Sequence, residues 1–259
     1  MPQPAHLDPS AFAADAGPVG VLLIHGFTGA AAETRPMGQY LASRGLTVRC
    51  PLLPGHGTRP QDLTRVRWQA WAGEAEAVLH DIHGRCAAVF VGGLSLGSLL
   101  ALWLGAGHPE IAGLILMAPA VRVRSRLMPL ALGLRHVLDY SPVNPMGDQD
   151  LGDPEGLQRA WCYDTVPLWG AGEVYRLQRR VRRALPAIRQ PILIFQGRRD
   201  AQLPPQAAQM VYEQVGSADK TLVWLEHSGH NVLIDGEREA VWARSHAWII
   251  ERASRAAAG

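Results

Sequence analysis

The sequence contains little cysteine, almost no lysine and no long apolar run. Its three cysteines, Cys50, Cys86 and Cys162, are odd in number and lack the spacing of metal ligands. We therefore expect buried, reduced thiols rather than a disulfide framework or a zinc site. Lys220 is the single lysine among 25 basic residues, and the formal net charge is only +2. So small an excess of charge calls for neither a nucleic acid partner nor an anionic membrane.

Apolar segments that could cross a membrane are also missing, because no run approaches the roughly 18 residues that a spanning helix requires. The first 18 residues carry no positive charge before an apolar block, so they do not resemble a secretory signal. We therefore expect a cytoplasmic protein without stable membrane insertion. The chain has 259 residues, 47% of them hydrophobic, with 27 glycines and 19 prolines. These totals fit one large α/β domain that carries an insertion.

Short apolar runs typical of buried strands alternate with amphipathic helical patterns. The predicted strands are 19–24, 46–50, 87–91, 113–118, 191–196 and 221–226. The predicted helices are 36–44, 68–83, 96–106, 205–215 and 237–252. This alternation predicts an α/β fold with a mostly parallel, doubly wound sheet.

One interval interrupts this alternation. Residues 122–186 contain only short helical patterns and follow the strand at 113–118, at the edge of a parallel sheet where ligands bind. We therefore expect a small helical cap or lid, inserted into a core formed by residues 1–121 and 187–259. The arginine-rich end of the insertion, EVYRLQRRVRRALPAIR, is either a patch that binds acidic groups or a solvated helix face.

The stretch AAVFVGGLSLGSLLALWLGAG, residues 87–107, places a serine between a strand and a helix. This order is typical of a nucleophile elbow, in which small residues two positions before and after the serine let strand and helix pass closely. Ser95 is therefore predicted to be a nucleophile at a helix start, where the helix dipole favours a developing oxyanion. A helix-capping role is the alternative. A phosphate-binding loop is disfavoured, because the GxxxxGK[ST] pattern is missing.

A serine nucleophile needs a base and an orienting acid, which follow it in the order serine, acid, histidine in this type of fold. Of the ten histidines, His227 and His230 lie directly beyond the last predicted strand. We prefer His230, because the Ser-Gly pair before it allows a tight loop. Asp200 ends GRRD directly after the fifth predicted strand and is the candidate acid; a turn-forming role is its alternative.

The loop HGFTGAAAE after the first predicted strand is suited to complete an oxyanion hole. The candidate donors are the backbone N–H groups of Phe27, which follows Gly26, and of Leu96, which follows the nucleophile. His25 is expected to anchor this loop by a hydrogen bond rather than to act in catalysis.

Taken together, these motifs resemble the α/β-hydrolase superfamily, in particular its bacterial carboxylesterase and monoacylglycerol lipase group. The resemblance runs from about residue 18 to residue 252 and rests on HGFTG, PLLPGHG, GLSLGS, MAPA, GRRD and SGHNVLID. It implies catalytic roles for Ser95, Asp200 and His230 and oxyanion roles for the two amides. In WCYDTVP it places Asp164 where related lipases carry an acidic residue that meets the glycerol headgroup. Asp164 is shorter than the expected glutamate, and a helix-capping role is its alternative.

The predicted function is hydrolysis of small-molecule carboxylic esters, either short- to medium-chain acyl esters or monoacylglycerols, through an acyl-enzyme and without metal or organic cofactor. We expect apolar cap residues to exclude water, although core packing is the favoured role for most of them: Leu127, Met128, Leu130, Leu132, Trp161 and Trp169. The alternatives are an acyltransferase, thioesterase or carbon–carbon hydrolase on the same scaffold, a catalytically silent binding protein, and an interaction protein that uses the arginine-rich cap. The expected oligomeric state is a monomer or a homodimer.

Overall fold

The structure is a computed structural model that describes residues 6–125, 128–140 and 150–257. Its strands are β1 (Phe12–Ala14), β2 (Val19–Ile24), β3 (Thr47–Cys50), β4 (Ala88–Leu94), β5 (Gly113–Met117), β6 (Ile192–Gly197) and β7 (Lys220–Leu225). They form one sheet in the order β1-β3-β2-β4-β5-β6-β7. β1 pairs with β3 in antiparallel orientation, and the other pairs are parallel. The carboxyl ends of β2 to β7 therefore meet at one edge of the sheet.

Helices cover the sheet in two groups. The α-helices are α1 (Arg35–Ala42), α2 (Trp68–His83), α3 (Leu96–Gly107), α4 (Ala131–Leu134), α5 (Leu168–Ala184), α6 (Gln206–Gln214) and α7 (Arg238–Ala257). α1 contacts α7, while α2, α3 and α5 contact one another. Because the central strands are buried along nearly their whole length, both faces of the sheet are covered, as continuous apolar strands predict.

The hydrophobic core lies along β2, β4, β5 and β6 and the helix α3. Every residue of β5 (GLILM) is buried, and nine of the twelve residues of α3 are buried as well. A helix that is apolar nearly all round has no solvent face, so α3 sits in the interior of the domain. Truncating one of its fully buried leucines, such as Leu100, to alanine costs roughly 2–5 kcal/mol.

The predicted mostly parallel sheet is confirmed, and four elements differ from the expectation by three residues or more. α7 ends at Ala257, whereas its pattern predicted an end at residue 252. The edge strand β1 was not predicted, because three residues are too few to show a period of two. β4 runs three residues further than expected and ends at Leu94, since Gly92 and Gly93 continue its pairing with β5. α5 is one helix of 17 residues where only short helices were expected.

Between β5 and β6 the described residues contain helical turns at 128–130 and 154–159 besides α4 and α5. A single bridge pairs Tyr140 with Pro167. Of the apolar residues expected in a lid, Trp161 is buried, Leu130 is 54% exposed, and Leu127 lies outside the described residues. None of the helices in the described ranges is long and apolar enough to span a bilayer.

Candidate active site

Ser95 lies in a strained turn between β4 and α3. Its backbone angles are φ 54° and ψ −105°, outside the regions that a non-glycine residue ordinarily adopts. The turn requires Gly93 and Gly97 to touch, since a Cβ on Gly93 would lie 2.7 Å from the Gly97 Cα. Any side chain on Gly93 would push the strand and the helix apart. This contact explains why glycine occurs two residues before and two residues after the serine.

Hydrogen bonds to β5 hold this turn in place. The Ser95 N–H donates to the Met117 carbonyl at 2.9 Å, and the Ser98 hydroxyl accepts from the Met117 N–H at 3.0 Å. The same hydroxyl donates to the Gly93 carbonyl. Ser95 is half-buried, so its backbone is fixed while part of the residue remains accessible.

Asp200 lies in the turn after β6 and uses both of its carboxylate oxygens. Oδ1 accepts the N–H groups of Gln202 at 2.9 Å and Leu203 at 2.7 Å. Oδ2 accepts the Gln196 amide at 2.7 Å and faces His230 Nδ1 at 3.0 Å. Burial opposes ionisation, but the charge and hydrogen bond of His230 and the bonds from Leu203 and Gln196 outweigh it, so the pKa of Asp200 lies below its usual value.

His230 lies in the loop after β7 and is nearly buried. Its backbone N–H donates to the Asp150 carbonyl at 3.0 Å. Because an ionised Asp200 can only accept, the ring carries its proton on Nδ1 and leaves Nε2 as an acceptor. Burial lowers the pKa of His230, yet the neighbouring carboxyl groups of Asp200, Asp150 and Glu33 outweigh burial and raise it above its usual value. The imidazolium form is therefore stabilised at this position.

The two histidines that the sequence left as candidates occupy different environments. His227 is exposed, and its Nδ1 lies 3.4 Å from an Arg199 guanidinium nitrogen. His230 instead faces the buried carboxylate of Asp200. The structure thus brings His230 and Asp200 together and places His227 at the surface.

The buried Asp235 fixes the histidine loop. Its Oδ2 accepts the N–H groups of Gly229 at 2.7 Å and Gly152 at 2.8 Å. Its Oδ1 accepts those of Asp153 and Gly236, each at 2.7 Å. One carboxylate therefore ties the backbone next to His230 to the backbone of Gly152 and Asp153.

His25 holds the loop after β2. Its Nε2 accepts the Leu53 N–H at 3.1 Å, so Nδ1 carries the proton and donates to the Gly26 carbonyl at 2.8 Å. Burial lowers the pKa of His25 to about 4, which keeps the ring neutral. The buried ring thus anchors the loop and stays in its neutral form near neutral pH.

The predicted oxyanion donors lie on two backbones that touch each other. A Cβ on Gly97 would lie 2.9 Å from the His25 carbonyl oxygen, so the start of α3 contacts the end of β2. Among the described residues, neither the Phe27 N–H nor the Leu96 N–H donates to a protein acceptor. The loop also contains Thr28 at φ 64°, a second strained residue beside the first amide.

Asp164 lies at the surface next to this loop. The N–H of the preceding Tyr163 donates to the Thr28 carbonyl at 2.9 Å, and the Phe27 ring packs against Gly170. The stretch around Asp164 thus contacts the loop after β2, but Asp164 itself is exposed and does not join the buried group around His230.

The arginine-rich end of the insertion forms one side of a surface groove of about 380 Å³. Its lining residues are Trp68, Gln69, Arg176, Arg179, Arg180 and Arg183. Arg176 pairs with the buried Glu173 at 3.1 Å, and Arg180 lies over the Trp68 ring at 5.8 Å. For the other groove arginines, the described residues provide no carboxylate within salt-bridge distance. These cations lie apart from the group around Asp200.

Metal ligation has no basis in the part of the chain that the structure describes, where no group of three or more histidine, cysteine or acidic residues is arranged to hold an ion. The three cysteines are unpaired. Cys50 is buried as expected, whereas Cys86 and Cys162 are only partly buried. Burial raises the pKa of Cys50 and of Cys162 to about 12, so neither is a nucleophile near neutral pH.

Sequence reasoning missed several side chains around the pair formed by Asp200 and His230. Gln196 was detectable only as a polar residue at the end of the apolar strand PILIFQ. Glu33 ends HGFTGAAAE, a position with no signal of its own. Asp150 is fifty residues from Asp200 in the chain, and no spacing rule connects them.

The chain is similar to known proteins over nearly its whole length. The family described as serine aminopeptidase, S33, matches residues 19–237. A thermostable monoacylglycerol lipase of Bacillus sp. (strain H-257) is 32% identical over 234 residues, covering 90% of this chain and 91% of that protein. A carboxylesterase of Bacillus subtilis (strain 168) is 29% identical over 237 residues, covering 90% and 93%.

A solved structure is similarly close. The structure reported for the metagenome-derived lipolytic enzymes LipS and LipT superposes with a TM-score of 0.89 at 28% sequence identity. The superposition covers 94% of this chain and 98% of that one. The similarity therefore concerns the whole arrangement of strands and helices and is not confined to the serine motif.

Proposed function

This chain belongs to the serine aminopeptidase S33 family and is an ester-hydrolysing α/β-hydrolase, and from this premise we propose that it cleaves carboxylic esters through an acyl-enzyme formed on Ser95. The predicted α/β-hydrolase fold and the predicted group of carboxylesterases and monoacylglycerol lipases are confirmed. One observation carries the proposal for the site. The strained Ser95 turn and the hydrogen-bonded pair of Asp200 and His230 follow strands whose carboxyl ends share one edge of the sheet.

In the first half of the proposed reaction, Ser95 Oγ attacks the ester carbonyl carbon and His230 Nε2 takes the hydroxyl proton. The carbonyl oxygen becomes an oxyanion, which accepts hydrogen bonds from the N–H groups of Phe27 and Leu96. The tetrahedral intermediate then collapses, the bond to the alcohol oxygen breaks, and His230 donates the proton to the leaving alcohol. The acyl group remains on Ser95.

In the second half, water repeats the sequence on the acyl-enzyme. His230 takes a proton from water as the water oxygen attacks the acyl carbon, and it returns that proton to Ser95 Oγ when the acyl bond breaks. Asp200 keeps the imidazole in the tautomer that leaves Nε2 unprotonated and stabilises the imidazolium formed in each half. The products are a carboxylic acid and an alcohol, and the enzyme is regenerated without a cofactor.

We propose that residues 122–186 form a cap over a core made of residues 1–121 and 187–259. Three contacts support this division, because the segment meets catalytic loops at several points. Tyr163 bonds to Thr28, the Phe27 ring packs against Gly170, and the Asp150 carbonyl accepts the His230 N–H. A cap in this position would contribute the walls of the acyl site and limit the access of water.

The proposed substrates are short- to medium-chain acyl esters or monoacylglycerols. Two relatives support this class by their names, a monoacylglycerol lipase and a carboxylesterase. Asp164 is proposed to accept a hydrogen bond from a glycerol hydroxyl, since it lies exposed beside the oxyanion loop. In that case Asp164→Ala, which removes the acceptor oxygens, raises the KM for a monoacylglycerol and leaves the KM for a p-nitrophenyl ester unchanged. Asp139→Ala, at an exposed aspartate of the same segment, is the matched control.

A substrate panel tests the reaction class. We expect the purified protein to hydrolyse p-nitrophenyl esters from acetate to dodecanoate and monoacylglycerols far faster than aminoacyl p-nitroanilides, which the family description would favour, or acyl thioesters. A fluorophosphonate should label the protein in proportion to its loss of activity, and Ser95→Ala should prevent labelling. Preferred cleavage of anilides or thioesters would replace the ester proposal, and absence of labelling would favour a silent binding protein.

A further inference from the structure

A buried glutamate joins the two loops that the proposed reaction depends on. Glu33 follows the oxyanion loop in a short helical turn at 31–33 and is 4% exposed. Its Oε2 accepts the Gly26 N–H at 3.3 Å, directly before Phe27. Its Oε1 accepts the Asn231 side-chain amide at 2.9 Å, directly after His230. One carboxyl group therefore bridges the neighbours of an oxyanion donor and of the catalytic base.

The oxyanion loop is shaped around this carboxyl group. A Cβ on Gly29 would lie 2.6 Å from the Glu33 carboxyl carbon, so a side chain at this position would displace the carboxyl group. The arrangement is also costly, because burial raises the pKa of Glu33 to about 7 although the Gly26 bond, His230 and Asn231 favour its ionised form. After burial, the charge of Glu33 is the next cause that raises the pKa of the Cys162 thiol. A buried carboxyl group whose surroundings disfavour its charged form contributes little by itself to the free energy of unfolding.

We propose that Glu33 is a positioning residue, which holds the oxyanion loop and the histidine loop in a single relative geometry through its bonds to Gly26 and Asn231. The inference rests on the proposed function, since it assumes that Phe27 and His230 act on the same substrate carbonyl. Proton transfer and oxyanion binding occur in one transition state, so both groups must stand within about 0.5 Å of their productive positions. Loss of the bridge should slow the chemical step and leave ground-state binding of an ester nearly unchanged.

Exchanging the carboxylate and the amide group between positions 33 and 231 tests this role. In Glu33→Gln the carbonyl oxygen still accepts the Gly26 N–H, but the new NH₂ group faces the Asn231 NH₂ group. In Asn231→Asp two carboxyl groups face each other. The double variant restores the bridge with reversed direction, because the amide at 33 donates to the carboxylate at 231. The second oxygen at 231 can still accept the Leu233 N–H, as Asn231 Oδ1 does at 3.3 Å.

We expect each single substitution to lower kcat roughly 10- to 100-fold, the usual effect of losing an orienting partner, with KM nearly constant, and we expect the double variant to recover most of kcat. Each kcat is measured on the alkaline plateau of its pH profile, so that a change in the pKa of His230 does not enter. The endpoint of fluorophosphonate labelling counts the folded sites, and kcat is expressed per labelled site. Single variants with wild-type kcat, or losses that simply add in the double variant, would overturn the proposal.

Two controls distinguish the loss of the Glu33 bridge from a general loss of stability and from failure of the proposed function. Gln190→Met removes one buried and one part-buried hydrogen bond, to the Gly105 and His108 carbonyls, at the opposite edge of the sheet, and it should lower stability without changing kcat per site. If the double variant does not fold, the single variants decide, because a kcat loss at full labelling and constant KM supports the role of Glu33 and an unchanged kcat contradicts it. If Ser95→Ala retains turnover, the proposed function itself has failed, whatever the Glu33 series shows.

Discussion

The charged residues around His230 and those on α5 lie in opposite environments. Asp200, Asp150 and Glu33 are each at least nine-tenths buried and accept hydrogen bonds from named donors. The arginines of the groove on α5 border solvent, and of these only Arg176 has a carboxylate partner within the described residues. A buried polar group that loses its partner costs about 1–3 kcal/mol or more, whereas an exposed ion pair contributes about 0–1 kcal/mol. Charge density alone is therefore a poor guide to function in this molecule.

The sharpest test of this contrast removes the nucleophile. Ser95→Ala should lower the turnover of p-nitrophenyl esters by a factor on the order of 10⁶, as loss of a triad serine does elsewhere, without a large loss of stability. Steady-state hydrolysis and thermal unfolding measured on the same sample check both parts. Substantial residual turnover would move the nucleophile to another residue and remove the reason for regarding this edge of the sheet as the functional one.

His227 and His230 allow an exposed group and a buried group to be compared within a single loop. His230→Gln should reduce turnover nearly as much as loss of the serine. Among the described residues, no other group is placed to take the proton of the Ser95 hydroxyl. His227→Gln should have little effect, since its ring is exposed and faces Arg199. Parallel kcat measurements on the two variants decide between them, and the reverse ranking would show that burial beside Asp200 does not identify the base.

Asp200→Asn should lower kcat by about 10⁴-fold, because an amide favours the wrong tautomer of the imidazole. It should also move the acid limb of the activity profile. Asp200 raises the pKa of His230, so its removal lowers that pKa and keeps the base neutral to lower pH. A pH profile of kcat/KM measures the shift, and Asp62→Asn, an aspartate paired at the surface with Arg59, is the control. An unshifted acid limb would mean that another group titrates.

The smallest effect is expected at the groove. Simultaneous replacement of Arg179, Arg180 and Arg183 by glutamine should change ester turnover by less than about twofold, since exposed charges contribute little. Turnover of a neutral ester, measured at low and at high salt, checks this expectation. A tenfold loss would show that α5 acts on the catalytic edge and would erase the distinction between the two charged regions. Salt-sensitive polyanion binding that survives Ser95→Ala would support the interaction function considered from the sequence.

The sequence was sufficient to predict the parallel strands of the sheet and to place Ser95, Asp200 and His230 in turns at one edge of it. Buried parallel strands produce continuous apolar runs, and the elbow at Ser95 requires glycines at fixed offsets, so both have local signatures. The order serine, acid, histidine along the chain then limited the candidates for the acid and the base to a few residues. These features depend on neighbours in the chain, which a sequence displays directly.

Contacts between distant segments could not be predicted in the same way. The bond between Glu33 and Asn231 spans 198 residues, and the Asp150 carbonyl meets His230 from within the insertion. Neither contact leaves a periodic or spaced pattern, because each depends on how loops from different strands pack. The edge strand β1 was missed for a related reason, since its pairing with β3 is the only thing that makes residues 12–14 a strand.

The bonds made by Asp235 set a limit on chimeric enzymes. Gly152 and Asp153 share its carboxylate with Gly229, so residues 150–153 are fixed to the histidine loop although they lie inside the proposed cap. A lid transplanted from another hydrolase with its junction after these residues would keep that support. A junction placed before them would import foreign backbone beneath His230, and grafts of this second type should lose activity even when the transplanted lid is correctly folded.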